Sequence, residues 1–283
     1  MRYVAEFRCK ENRFLLGAPI SGENRFLKLL LKRVEVFFSK NKPDLFIFES
    51  EAMRRFAVYG RGIRFNDTCV IPTGVDTQKF RPNTSSKNYV LNEFSIPENS
   101  KIIFYSGHME ERKGVRIIIE SAIKLIDDKK VTHLHFLICG NHHGEETPFI
   151  KMLKNTKAKN HVTFAGYRTD VDKIIPGCDF GVIASTGWDS FPMSSLEIAS
   201  CGLPLIVSSL QGLTETIQEN VTGLSFPPGD SSQLAAAIQK LDQNEQMYFQ
   251  FSKAARERIV SKYSLEQQYK ALSQKLAQLF TSR

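Results

Sequence analysis

The sequence predicts an α/β fold, a doubly wound parallel sheet, and three observations carry that expectation. Short continuous apolar runs recur at residues 101–105, 134–139, 162–164, 180–184, 205–207 and 223–226, each bounded by turn residues in the manner of strands buried on both faces. Between them lie segments of helical spacing, notably 116–127, 149–154 and 171–175, and strands alternating with helices imply crossover units in one parallel sheet. A chain of 283 residues with 42% hydrophobic content is long enough for one large domain or two modest ones.

Taken in order, residues 1–22 show no clear period and end in a loop-like Gly-Ala-Pro-Ile-Ser-Gly. In 23–40, Phe26, Leu27, Leu30, Leu31, Val34, Phe37 and Phe38 fall on one helical stripe flanked by Lys28, Lys32 and Arg33. Such a helix either packs on its own domain or lies on a membrane surface. Residues 45–48 read as a buried strand and a helix begins at Glu49; 69–71 is a second apolar run, 72–82 is rich in turn residues, and 83–87 is polar and linker-like. Past the runs named above, helices are expected through 214–217, over about 231–241, and twice between Glu245 and the C-terminus. No internal repeat or low-complexity tract is visible.

Composition narrows the function classes. The net charge of +8 favours anionic ligands or surfaces, but Lys and Arg are dispersed without interleaved aromatics, which argues against nucleic acid. No apolar run approaches the roughly 18 residues of a membrane span, and the first residues lack a signal-peptide core, so any membrane contact is peripheral. The five cysteines, Cys9, Cys69, Cys139, Cys178 and Cys201, are widely spaced with no paired C-x-x-C, and read as reduced thiols of a cytoplasmic protein. Alternation puts His133 and His135 on one strand face, but neither they nor His142 and His143 have further ligands at metal spacing, and no metal site is assigned.

The chemistry concentrates at Trp188-Asp-Ser-Phe-Pro-Met-Ser-Ser-Leu-Glu-Ile-Ala-Ser-Cys-Gly-Leu-Pro204. A Ser-rich turn feeding a helix exposes unpaired N–H groups at the positive end of the helix dipole, which suits phosphate. Ser is equally a preferred helix cap, and both roles hold together. Glu197, inside the helix, is placed to accept hydrogen bonds from sugar or ribose hydroxyls. Because ligands of such sheets bind beyond the carboxyl ends of the strands, Asp189 and Gly107 belong to the same edge. These residues read as a nucleotide-sugar site.

With these residues in view, the chain resembles the GT-B glycosyltransferases, specifically the large retaining family four. Val70-Ile-Pro-Thr-Gly-Val-Asp-Thr-Gln-Lys-Phe-Arg-Pro82 resembles the interdomain segment, Ser106-Gly-His-Met-Glu-Glu-Arg-Lys-Gly114 the Gly-Arg…Lys-Gly loop, and Val162-Thr-Phe-Ala-Gly-Tyr167 the strand and turn beside the base. Asp189 and Glu197 resemble the paired acids separated by seven residues; Gly212-Leu-Thr-Glu215, Asn220-Val-Thr-Gly-Leu224 and Pro227-Pro-Gly-Asp230 fit the family's ending.

The resemblance implies a GT-B fold and a sugar transferase with retention of configuration, using a UDP- or GDP-linked sugar and no obligatory metal or other cofactor. Lys113 and His108 act on the diphosphate, Asp189 on the sugar and Glu197 on the ribose. Gly107, Phe191, Met193, Ser194, Ser195 and Leu196 line the donor, and Gly166 and Tyr167 meet the base. A glycan or lipid-linked acceptor is expected, and the basic residues flanking the 23–40 stripe suggest that it is met at the cytoplasmic face of a membrane. Two residues depart from the pattern: Asp189 stands where Glu is usual, withdrawing the carboxylate by one methylene, and His108 replaces Arg, exchanging a reference pKa above 12 for one near 6.5. Residues 1–82 read as a shortened acceptor-side α/β segment, 83–260 as the donor domain, and 261–283 as a helix returning to the first segment. Alternatives are a nucleotide-sugar-binding module without catalysis, or a GT-B epimerase or phosphorylase.

Overall fold

The computed structural model describes Val4–Glu6 and residues 43–281; the helix expected over 23–40, and Cys9, lie outside the described residues. The chain forms two units, Met1–Thr73 with Gln268–Arg283, and Gly74–Gln267.

The first unit holds a parallel three-stranded sheet, β1 (Val4–Glu6), β2 (Leu45–Phe48) and β3 (Thr68–Val70), in that spatial order. All four β2 residues are buried, as a continuous apolar run in a parallel sheet requires. At three residues, β1 is too short to display a period, which is why the sequence gives no sign of it. Helix α1 (Glu51–Arg55) starts where Ser50 Oγ accepts the Met53 N–H at 3.2 Å, and Glu51 and Arg54–Arg55 match the dipole at its two ends. A small core of Leu45, Ile47 and Ile71 packs with Cys69, Ala271, Leu272 and Leu279.

The second unit is built on six parallel strands: β4 (Lys101–Ser106), β5 (Leu134–Cys139), β6 (Val162–Gly166), β7 (Phe180–Ile183), β8 (Leu205–Ser208) and β9 (Gly223–Phe226). Their spatial order is β6-β5-β4-β7-β8-β9, the doubly wound arrangement expected. Side chains alternate across the sheet. Ile103, Tyr105, Phe136, Ile138 and Val182 join one core with helices α3 (Val115–Ile123) and α7 (Ser231–Asp242). Ile102, Phe104, Leu137, Cys139 and Ile183 join the other, with α6 (Met193–Ser200) and α8 (Glu245–Lys262). The remaining helices are α2 (Ser86–Glu93), α4 (Thr147–Leu153), α5 (Val171–Ile174) and α9 (Leu265–Thr281).

The linker reading of 83–87 needs correction, because Ser86 already begins α2. That helix buries Ser86, Val90 and Leu91, and in two turns rich in Asn, Ser and Lys so narrow a stripe does not stand out as a period. Between α8 and α9 the chain leaves helical geometry to pair with an earlier segment: Val75 N–H donates to Tyr263 O at 2.8 Å and Leu265 N–H to Val75 O at 3.1 Å. Arg256 ties residues 77–80 to the end of α6, donating to Thr77 O, Phe80 O and Ser200 O at 3.0, 2.9 and 2.7 Å. A cation is well placed at carbonyls near a helix C-terminus.

Candidate active site

The strand order fixes where a ligand fits. The connection from β4 leads to β5 on one side, and that from β7 leads to β8 on the other. A crevice therefore opens between these neighbours at their carboxyl ends. The loop after β4 carries Gly107, His108 and Lys113, and the loop after β7 carries Asp189.

The two loops are bound backbone to backbone. Gly114 has φ +73°, and a Cβ there would stand 1.7 Å from Ala184 O, so only glycine permits the approach. Thr186 and Gly187 donate their N–H groups to Arg112 O at 2.7 and 3.3 Å, and Arg112 Nη1 donates to Trp188 O at 3.2 Å. Lys113 Nζ is thereby delivered 2.9 Å from Asp189 Oδ2, with side-chain exposures of 17% and 9%. Ser185 Oγ donates to the same oxygen at 2.7 Å, and Ser208 Oγ fixes Ser185 by donating to its carbonyl at 2.6 Å. An ammonium and a carboxylate so shielded from water interact strongly.

The neighbouring wall is made by the ends of β5 and β6. Gly140 N–H donates to Gly166 O at 2.8 Å, while Asn141 Oδ1 accepts the Gly166 N–H at 2.9 Å. Asn141 Nδ2 in turn donates to Glu146 at 3.0 Å. Gly107 lies against this wall, since a Cβ on Gly140 (φ +107°) would be 2.3 Å from Gly107 O. Tyr167 is 68% exposed and its ring runs parallel to that of His142, with centroids 5.9 Å apart. Arg168 anchors the following turn to Asp170 and Glu93 at 2.7 and 2.9 Å, and with the Tyr89 hydroxyl it holds the Asp170 carboxyl down to about 2. A groove of about 810 Å³ runs along this edge past Ile150, Phe164 and Tyr167.

His108 is exposed, and its carbonyl accepts the Tyr105 hydroxyl at 3.0 Å. Burial pushes that phenol well above its usual pKa, so it remains a donor. At the start of α6 the preceding residue is Pro192 and no side chain caps the helix. Ser195 is fully buried and donates its hydroxyl to Pro192 O at 2.7 Å. Met193 is exposed and Ser194 half-buried, in the first turn whose N–H groups have no intrahelical acceptor. Glu197 is half-buried, and burial raises its carboxyl pKa against the pull of Lys79. Phe191 and Leu196 are core residues, the former with its ring 5.5 Å from that of Tyr263.

The structure thus joins Lys113 to Asp189 directly, and links Gly107 and Gly166 through Gly140. It places Ser195, Leu196 and Phe191 in supporting positions. Ser185, Asn141 and Arg112 were not singled out from sequence; Arg112 sits inside the quoted loop motif, but a lone Ser before an acid and a lone Asn after a strand carry no spacing signal. Among the described residues no group of three or more His, Cys, Asp or Glu side chains is gathered as for a metal ion.

Comparison with known proteins gives the family and the fold. The family model described as Glycosyl transferases group 1 matches residues 89–258. The chain is 24% identical over 247 residues to the UDP-Gal:alpha-D-GlcNAc-diphosphoundecaprenol alpha-1,3-galactosyltransferase of Escherichia coli, covering 87% of this chain and 62% of that protein. It is 27% identical over 214 residues to the N,N'-diacetylbacillosaminyl-diphospho-undecaprenol alpha-1,3-N-acetylgalactosaminyltransferase of Campylobacter jejuni, covering 74% and 54%. The chain therefore spans less than two thirds of the length of these relatives. Among solved structures, Anabaena Alr3699/HepE in complex with UDP superposes with a TM-score of 0.83 at 19% identity, covering 98% of this chain and 72% of that one. A glycosyltransferase from Rickettsia africae gives 0.79 at 20% identity, covering 85% and 64%. The fold is of the GT-B type, with two parallel Rossmann-like sheets.

Proposed function

The chain belongs to the family of glycosyl transferases group 1, and from that membership we propose that it transfers a sugar from a UDP- or GDP-linked donor to a glycan or lipid-linked acceptor, with retention of configuration. The observation that carries the reading is the meeting of Lys113 and Asp189 at 2.9 Å in the crevice between β4 and β7. When the bond between the sugar and the diphosphate breaks, the leaving oxygen keeps the electron pair. Lys113 stabilises that growing charge, and a fixed ammonium in a shielded site does so without reorganising. His108, on the same loop, lies beside the diphosphate, and the first-turn N–H groups of Met193 and Ser194 face the phosphates. Asp189 holds sugar hydroxyls, Glu197 the ribose, and Gly166 and Tyr167 the base.

In this reading residues 83–260 bind the donor, and residues 1–82 with the final helix serve the acceptor side. A lipid-linked acceptor at the cytoplasmic face of a membrane is favoured by the diphosphoundecaprenol-linked substrates that the relatives' names specify and by the Lys and Arg residues beside the apolar pattern of 23–40. Among the described residues no helix is long and apolar enough to cross a membrane.

A second reading, a nucleotide-sugar-binding module without catalysis of its own, is favoured by Asp189, which stands in place of Glu and is already engaged by Lys113 and Ser185. Calorimetric titration with UDP, GDP and their nucleotide sugars tests the donor site, and absence of affinity for all of them would sink each reading. Donor hydrolysis or sugar transfer by the chain then separates enzyme from module.

A further inference from the structure

The centre of the site is a pair of charges that satisfy one another. Lys113 Nζ and Asp189 Oδ2 are 2.9 Å apart and largely shielded from water, and Ser185 holds the same carboxylate oxygen. Breaking such a pair from one side is costly, because the abandoned charge keeps its desolvation penalty. The pair cannot separate by drift of its loops, since Arg112 O holds both Thr186 and Gly187 and Gly114 lies against Ala184 O. Asp189 therefore stays within reach of whatever Lys113 binds.

We propose that this ion pair is an internal competitor that makes the donor site select an intact nucleotide sugar over the spent nucleoside diphosphate. The inference rests on the donor reading given above. A diphosphate that takes Lys113 strands the shielded Asp189 carboxylate without its counter-charge. The sugar of an intact donor relieves this by donating a hydroxyl to Asp189, so phosphate and sugar each make room for the other. A nucleoside diphosphate brings no hydroxyl to that place. Once the sugar has been transferred, Asp189 recaptures Lys113, and the same competition speeds departure of the product. The shorter Asp suits this role, because its carboxylate stays against the lysine.

The test is calorimetric, on the full chain, with UDP and UDP-glucose and, in parallel, GDP and GDP-mannose. In Asp189→Asn, which keeps the shape and ends the competition, nucleoside diphosphate affinity is expected to rise about tenfold, as for a lost hydrogen bond to a charged group. Affinity for the nucleotide sugar gains less, so the ratio between the two ligands moves toward the spent nucleotide. In a Lys113→Met background the same Asp189→Asn change is expected to leave nucleoside diphosphate affinity within about twofold, since the competition runs through Lys113. An unchanged or weaker affinity in Asp189→Asn overturns the proposal, as does a gain that persists without Lys113, which marks plain charge repulsion. If circular dichroism shows that the Asn variant does not fold, Asp189→Ser carries the same expectations. Wild-type protein that binds none of the four ligands overturns the donor reading and this inference with it, whereas binding without the Asp189 effect overturns the inference alone.

Discussion

The two walls of the site are built by opposite means. Between β4 and β7 the wall is made of side chains: a shielded ammonium and carboxylate, a buried serine hydroxyl, and an arginine latching one loop to the other. Between β5 and β6 it is largely backbone: Gly140 N–H donates to Gly166 O, Asn141 Oδ1 accepts the Gly166 N–H, and Tyr167 stands open at the rim. The first geometry suits a ligand whose charge changes during reaction, because fixed charges act on charge. The second suits a flat, neutral group that is recognised and held. The difference is in keeping with the proposed function, in which the reacting end of the donor meets the first wall and the base the second.

That contrast is broken most severely at Gly114. A Cβ there meets the Ala184 carbonyl and also penalises φ +73°, so Gly114→Ala is expected to cost about 3 kcal/mol and to lower the thermal midpoint by several degrees. The strands that lead to the second wall offer the next largest effect. His135 on β5 bonds Thr163 on β6 through Nε2 at 2.9 Å while Nδ1 is buried without a partner, and burial lowers its pKa from 6.5 to about 4. Below pH 6.5 the unfolded chain takes up a proton that the folded chain refuses. Stability is thus fullest above 6.5 and declines as the pH falls toward 4, by about 1–3 kcal/mol, readable in urea melts at stepped pH. His135→Gln is expected to flatten that slope.

At the rim, Tyr167→Ala is expected to leave the melting midpoint within about one degree, because the ring is exposed, while weakening nucleotide binding about tenfold through lost stacking on the base. Equal binding by the variant would remove the base from this wall.

Much of this was legible in the sequence. The runs at 101–105, 134–139 and 180–184 announced a sheet buried on both faces, because a parallel strand has no polar side to show. Asp189 and Glu197 stand out as two acids flanking a Ser-rich turn, and Lys113 through the resemblance of its loop to the family's Gly-Arg…Lys-Gly motif. The contact between Lys113 and Asp189 was not legible, since it depends on two loops 76 residues apart in the chain being bound through Arg112 O, an interaction that any residue's backbone can make. Helix α2 was hidden by its polar surface. Ser185 was hidden because a hydroxyl that turns inward looks, in one dimension, like one that faces water.

The central claim is that the donor lies across these two walls, and hydrogen exchange with and without saturating UDP tests it most directly. Bound UDP is expected to slow exchange in residues 107–114, 140–141, 166–167 and 184–197 and to leave the edge strand β9 unaffected. Protection confined to other segments, in a protein that demonstrably binds UDP, would contradict it.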